Sequence, residues 1–330
     1  MSRYDVLCIG NAIVDIIARC EDDFLVANGI HKGAMNLIDA VRAAQLYERM
    51  GPAVETSGGS AGNTAAGVAS FGGRAAFFGK VAADHLGRIY THDIRAQGVA
   101  FDTTALDYGA PTARSMIFVT PDGERSMNTY LGACVELGPE DVEEEKAAGA
   151  AVTYFEGYLW DPPRAKEAIR KTAAFAHAAG REVSFTLSDP FCVDRYRDEF
   201  LELMRSGTAD IVFANEHELK SLYQTGSFEA ALGQLRLDCR LAAVTQSERG
   251  SIVVRGDETV LVEADLVLDV VDTTGAGDLY AAGFLHGYTR GRPLSECGRL
   301  GSLAAGLVIQ QVGPRPRQNL AREAEQAGLA

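Results

Sequence analysis

Seven consecutive residues, Asp272-Thr273-Thr274-Gly275-Ala276-Gly277-Asp278, carry the clearest chemical signal in the sequence. They follow a largely apolar run from Leu266 to Val271 and open a helical stretch from Leu279 to Tyr288. Two glycines at such a junction let the backbone fold tightly and aim several N–H groups at one point, where the helix dipole favours an anion. Asp278 would stand beside those N–H groups, near a hydroxyl held against a terminal phosphate. A carboxylate in that place accepts the hydroxyl proton as a phosphoryl group transfers. A plain helix start explains less: Thr274 as N-cap and Asp278 reaching back to first-turn N–H groups account for a threonine and an acid, but not for two glycines and an alanine between them.

A second glycine cluster, Ser57-Gly58-Gly59-Ser60-Ala61-Gly62-Asn63, precedes a small-residue helix beginning near Thr64. It brings backbone close to a ligand while Asn63 donates and accepts hydrogen bonds. A flexible loop before a helix reads the same way, and the stretch alone does not separate the two. Asn215-Glu216-His217-Glu218 follows a strand and begins a helix, with Asn215 and Glu218 about one turn apart on one face. That pair suits a hydrated magnesium ion, which keeps its waters and needs few carboxylates, and it suits an ordinary capping box equally well. His217 reads as a solvated helix residue. Two phosphate motifs fail on spacing. Gly73 and Gly79-Lys80 have one residue too many between the glycines for a P-loop, and Val81 stands where Ser or Thr binds magnesium. Gly10 is followed by Ala12 where a dinucleotide fingerprint has its second glycine, which disfavours nicotinamide and flavin chemistry.

The elements that must position these residues follow from periodicity. Short Val-, Ile- and Phe-rich runs alternate with Ala-rich stretches of helical period, which predicts a mostly parallel sheet between helices. Strands are expected at Val6–Ile9, Ala75–Val81, Val152–Phe155, Val183–Leu187, Ile211–Ala214 and Leu241–Thr245. Helices are expected around Ala61–Ser70, Leu86–Gln97, Arg164–Ala179, Glu199–Met204 and Glu216–Tyr223. Two segments break the rhythm: Ile13–Leu37, and Thr112–Tyr130, where Ser115–Thr120 and Arg125–Tyr130 flank a Pro121-Asp122-Gly123 turn. They predict a small β lid, built from residues of about 12–38 and 110–131, on a single domain spanning 1–330.

Composition limits the function classes. The chain has 330 residues, 47% of them hydrophobic, so a large core is easily built. Against 31 Lys and Arg stand 45 Asp and Glu, a formal charge of -14 that repels phosphate backbones and anionic lipid and argues against nucleic-acid or membrane partners. The six cysteines are scattered, without C-x-x-C pairs or His clusters at metal-ligand spacing, and read as reduced thiols of a cytosolic protein. No apolar run reaches the roughly 18 residues a membrane helix needs.

Taken together, these residues resemble the ribokinase-like, or PfkB, family of carbohydrate and nucleoside kinases over almost the whole chain. Asp272 to Asp278 looks like the family's C-terminal signature. Ser57 to Asn63, with Phe71-Gly72-Gly73 and the stretch Gly79 to Gly87, looks like its N-terminal signature, and Asn215 to Glu218 like its N-x-x-E magnesium motif. The resemblance implies a three-layer α/β/α fold with a mostly parallel central sheet, ATP as co-substrate and Mg2+. It implies Asp278 as base, Gly275, Ala276 and Gly277 as an anion hole, and Asp15, Gly58, Gly59 and Asn63 as the ribose-gripping set. It implies Thr245, Ser247 and Gly250 in a nucleotide loop, Ala304 to Val308 with Gly313 as an adenine wall, Arg125 on the phosphates, Asn215 and Glu218 at magnesium through water, and room for K+ near Asp272.

Within the family the adenosine kinases look similar. The cues are Gly10-Asn11, Ala76-Phe77-Phe78-Gly79, Leu131-Gly132-Ala133 and Leu187-Ser188-Asp189-Pro190-Phe191. They add Asn11, Leu131 and Phe191 to the acceptor site, with Phe191 against a purine; a second purine-stacking aromatic maps onto Tyr158, Leu159 or Trp160. The expected activity is therefore ATP-dependent phosphorylation of a purine nucleoside 5′-hydroxyl, adenosine first, by a monomer or homodimer. A kinase for ribose or a related ketose is the runner-up. A non-catalytic nucleoside-binding regulator of the same fold is the rival of another class, and a binder has no need of Asp278.

Overall fold

The computed structural model describes residues 2–329. In chain order its strands are β1 (Tyr4–Ile9), β2 (Ile13–Arg19), β3 (Met35–Leu37), β4 (Ala53–Ser57), β5 (Ala75–Phe78), β6 (Ala113–Val119) and β7 (Arg125–Tyr130). There follow β8 (Ala150–Glu156), β9 (Glu182–Thr186), β10 (Ile211–Asn215), β11 (Leu241–Thr245), β12 (Ser251–Arg255) and β13 (Glu258–Val262). Eight of these strands form one sheet in the order β13-β12-β11-β10-β9-β8-β1-β5. It is parallel from β5 to β11 and antiparallel only at the β12 and β13 edge.

Successive strand residues point to opposite faces, so an apolar run buries both. Val6 and Cys8 of β1, Ala75 and Phe77 of β5, and Ile211 and Phe213 of β10 enter one core. Their neighbours Leu7 and Ile9, Ala76 and Phe78, and Val212 and Ala214 enter the other. Helices Ser60–Ser70, Ala276–Tyr288 and Leu294–Val308 cover the first face; helices Pro163–Ala178, Pro190–Arg205, Glu216–Leu222 and Phe228–Asp238 cover the second. The result is the three-layer α/β/α arrangement expected, with the βα loops gathered at the carboxyl ends of the strands, where open α/β sheets hold ligands.

A five-stranded sheet, β3-β7-β6-β2-β4, stands apart from the first. The hairpin β6–β7 is antiparallel around its Pro121-Asp122-Gly123 turn, and β2 pairs with β6 in parallel over Ile13 to Arg19. β4 completes the sheet from outside the two expected segments, antiparallel to β2, with Asp15 opposite Thr56. The apolar run Leu266–Val271 forms no regular element. It is an exposed crossing that brings the backbone N–H groups of Val271 and Asp272 onto the Ile309 carbonyl.

Candidate active site

Gly275 makes the turn into the Ala276–Tyr288 helix in the left-handed region, φ 80°, and a Cβ there would stand 2.6 Å from the Pro314 side chain. Both demands fit glycine alone. The helix's first N–H groups have no partners inside the helix, and nothing lies within 4 Å of where a Gly277 Cβ would be, so this turn is open to the cavity it lines. Asp278 does not reach back to those N–H groups. Its Oδ1 accepts from Ser60 Oγ at 2.6 Å and its Oδ2 from Asn63 Nδ2 at 2.8 Å, across to the start of the Ser60–Ser70 helix. Asp278 shows part of its surface to the cavity, yet protein surrounds it closely. Burial raises its carboxyl above the ordinary value, while the bonds from Ser60 and Asn63 and the charge of Arg315 oppose the rise. Asn63 Oδ1 is buried with no hydrogen-bond partner.

The small sheet delivers Asp15, on β2, against the second glycine cluster. A Cβ on Gly58 would fall 2.4 Å from Asp15 Oδ2, and one on Gly59, whose φ is +82°, would fall 2.0 Å from the Asn11 carbonyl. Asp15 is buried and lifted to about 6, chiefly by desolvation, with Arg125 and Arg315 pulling down and Asp272 and Asp278 pushing up. Glu156, at the end of β8, is a buried acid the sequence reading passed over. It accepts from the Asn11 backbone N–H at 2.9 Å, Asn11 Nδ2 at 2.7 Å and the Ala61 N–H at 2.7 Å, and desolvation raises it to about 7. An acid closing a largely apolar strand run was the one signal for it.

The nucleotide-side residues are placed unequally. Thr245, Ser247 and Gly250 line the cavity together with Asn215 and Glu218. The 245–250 loop is tight: Ser247 has φ 53°, Gly250 has φ 86°, and a Cβ on Gly250 would meet the Val262 carbonyl at 2.0 Å. Asn215 and Glu218 do form a capping box, Asn215 Oδ1 accepting the Glu218 N–H at 2.9 Å and Glu218 Oε2 accepting the Asn215 N–H at 3.0 Å. Glu218 nonetheless faces the cavity, and burial lifts it to about 7 with Asp189 and Asp278 adding to the rise. Among the described residues no group of three or more His, Cys, Asp or Glu is arranged to cage a metal. The donor set therefore fits an ion carried on ligand phosphates and keeping its own waters, rather than a protein-built cage.

Several expectations need correction. Ala304 and Val308 are fully buried in the core; the Leu294–Val308 helix turns Ser302, Ala305 and Gly306 to the cavity, with Ile309 just past its end. Ala305 and Gly306 lie within the expected stretch Ala304 to Val308, but its two ends face the core. Arg125, expected on the phosphates, is buried against Asp272 in an ion pair and does not line the cavity, although its Nε and Nη2 have no partner. Asp272, expected beside K+, has this guanidinium as its counter-charge and also accepts the N–H groups of Thr274 at 3.0 Å and Gly313 at 2.8 Å. Gly313, φ +96°, thus serves Asp272, and Pro314 is the residue beside it that lines the cavity.

One continuous cavity of about 1310 Å³ joins these groups, running past Asn11, Asp15, Asn63, Leu131 and Asp278 to Glu218, Thr245 and Ala305. Its lining also includes Tyr158 and Phe191. Leu159 and Trp160 are fully buried, which leaves Tyr158 as the aromatic of that trio facing the cavity. Its hydroxyl donates to the Ser188 carbonyl at 3.3 Å. Phe191 is 63% exposed, with the Arg195 guanidinium 4.6 Å from its ring centroid.

A parallel sheet with its ligand cavity at the carboxyl ends, a glycine turn at a helix N-terminus and an acid beside it define the class of ribokinase-like kinases. The chain belongs to the pfkB family of carbohydrate kinases, which it matches over residues 4–319, and it is an ATP-dependent kinase. It is 72% identical to the adenosine kinase from Sinorhizobium meliloti, whose crystal structure superposes with a TM-score of 0.93 over 99% of this chain and 100% of that one. It is 67% identical to a probable sugar kinase protein from Rhizobium etli CFN 42, TM-score 0.95, covering both chains completely. Adenosine kinase 2 of Arabidopsis thaliana is 26% identical over 345 residues, 94% of this chain and 96% of its own. No helix among the described residues is long and apolar enough to cross a membrane.

Proposed function

We propose that the chain transfers the γ-phosphoryl group of ATP to the 5′-hydroxyl of a purine nucleoside, adenosine first. The observation that carries the nucleoside reading is that Tyr158 and Phe191 line the same cavity as Asp15 and Asp278. A flat base gives such rings a face to stack on, and a free pentose does not. Asp15 and the unpartnered Asn63 Oδ1 supply acceptors for ribose hydroxyls. Asp278 takes the 5′-hydroxyl proton as the new O–P bond forms and the bond from the γ-phosphorus to the bridging oxygen breaks, leaving ADP. The N–H groups of Gly275 and Gly277 face the charge on the transferring oxygens, while that of Ala276 donates to the Thr273 carbonyl at 3.2 Å. Magnesium bound with the nucleotide supplies charge neutralisation there, and Glu218 and Asn215 are the residues placed to hold its waters. A sugar-kinase reading is favoured by one observation, the 67% identity to a protein described as a probable sugar kinase.

The test is a coupled ADP-release assay with adenosine, inosine, guanosine and ribose on the wild type, Asp15→Ala and Phe191→Ala. Asp15→Ala should weaken every acceptor, because hydroxyl-binding groups discriminate through what is left unpaired. Phe191→Ala should weaken adenosine alone, by roughly 2- to 13-fold for about 0.5–1.5 kcal/mol of stacking. A wild type that prefers ribose overturns the nucleoside reading and leaves the kinase intact.

A further inference from the structure

Arg315 lies in the loop after the Leu294–Val308 helix, outside every motif of the sequence. Its guanidinium runs beneath the first turn of the Ser60–Ser70 helix. Nε donates to the Ser57 carbonyl at 3.2 Å, Nη2 to the Gly58 carbonyl at 3.2 Å, and Nη1 to the Gly62 carbonyl at 2.8 Å and Gln97 Oε1 at 3.0 Å. Three of its four acceptors are therefore carbonyls of the one strand-to-helix segment, Ser57 to Gly62, that carries Gly58, Gly59 and Ser60. Gly62 leaves room for this, since a Cβ there would stand 3.2 Å from Arg315 Nη2 and 3.0 Å from the Tyr90 hydroxyl. The N–H side of the same segment is held by Asp93, which accepts from the Ser57 N–H at 2.8 Å. The residues just before Arg315 grip the catalytic turn instead: Pro314 packs on Gly275, and the Gly313 N–H holds Asp272.

We propose that Arg315 is a positioning residue for phosphoryl transfer, which by holding three carbonyls of the Ser57–Gly62 segment sets the distance between Asp278 and the acceptor hydroxyl. Its guanidinium does not line the cavity and touches no reacting atom. It acts through that segment, and through a positive charge that opposes the effect of burial on Asp278 and Asp15. The groups facing Asp278 are otherwise Ser60 and Asn63 as donors, with Asp15, Glu156, Glu218 and the buried Cys8, Tyr154 and Tyr158 around it. Those facing Asp15 are Arg125, Asp272 and Asp278. Without Arg315 both carboxylates lose a cation and keep their acidic neighbours.

The inference rests on the kinase reading with Asp278 as base, not on which acceptor is used, so a wild type that prefers a sugar leaves it standing with that sugar as substrate. The experiment compares Arg315→Gln and Arg315→Lys in full kinetics against pH, with melting temperatures. Misplacement by about 1 Å costs on the order of 10²-fold, so Arg315→Gln should lose about that much kcat/KM for the acceptor, with KM for ATP nearly unchanged. Its acid limb should move to higher pH. Arg315→Lys keeps the charge but not the fork of donors; it should lose rate while its acid limb stays in place. A lowered melting temperature with acceptor kinetics and acid limb unchanged would assign Arg315 to stability and overturn the proposal. Gln97→Met, which removes one anchor of the guanidinium at a helix end, guards against variants that do not fold. It should lower acceptor kcat/KM several-fold at constant KM for ATP, and unchanged acceptor kinetics in it count equally against the proposal.

Discussion

Gly58→Ala perturbs the acceptor-gripping acid without touching its charge. Gly58 does not occupy the left-handed region, so alanine carries no backbone strain there. Its methyl, however, would stand 2.4 Å from Asp15 Oδ2 and 2.6 Å from Asp15 Cγ, where ordinary contact begins near 3.4 Å. The carboxylate must therefore retreat by about 1 Å, which takes a hydrogen bond to a ribose hydroxyl out of its working range. Such a bond to a charged group contributes about 1.5–3 kcal/mol, a factor of roughly 10 to 150. We expect kcat/KM for the acceptor to fall by that factor in steady-state assays while KM for ATP stays within about two-fold and the melting temperature drops a few degrees, the size of an overpacking cost of about 1–3 kcal/mol. In an Asp15→Ala background the methyl has room, so adding Gly58→Ala should cost almost nothing more, a non-additive double-mutant cycle. An unchanged acceptor kcat/KM, an equal rise in KM for ATP, or full additivity with Asp15→Ala would refute the steric argument.

Asp278→Asn should fold and bind nucleotide but lose about 10²- to 10⁴-fold in kcat, measured by ADP release; near-normal turnover would remove Asp278 as base. Glu218→Gln should raise the magnesium concentration needed for half-maximal rate, and an unchanged titration would confine Glu218 to helix capping. The same variant tests a pH effect on stability. Because burial lifts Glu218 from 4.5 to about 7, the folded chain holds that proton more tightly than the unfolded one. The stability it contributes is full below about 4.5 and is lost as pH rises through about 7. The wild-type melting temperature should therefore fall between pH 5 and 8, and Glu218→Gln should fall less; parallel curves would show that Glu218 does not carry the effect.

The glycine turn was legible because its demands are local: φ 80° and a proline 2.6 Å away admit one residue type, and that residue is written at Gly275. The strand Leu241–Thr245 has the bounds that its apolar run predicts, and the β6–β7 hairpin turns at its Pro-Asp-Gly. Where two apolar faces compete, local pattern does not choose between them, so the stretch Ala304 to Val308 held both the buried Ala304 and the cavity-facing Ala305. The edge hairpin β12–β13, antiparallel across Gly256-Asp257, lies outside the βα alternation from which the strands were expected. Glu156 and Arg315 escaped for a different reason. Their partners lie 95 to 145 and 218 to 258 residues away in the chain, so only the folded molecule brings them together.

The crowding of Asp15, Glu156 and Glu218 around Asp278 gives the cleft a second property. Desolvation lifts the three to about 6, 7 and 7, and the charge of Asp278 adds to the rise in each. A polyanion brought beside these acids disfavours their ionised forms further, and a divalent cation carried with it would offset that effect. Binding of an anion there is linked to the protonation of these acids, so occupancy of the cleft is expected to depend on pH as well as on ligand concentration.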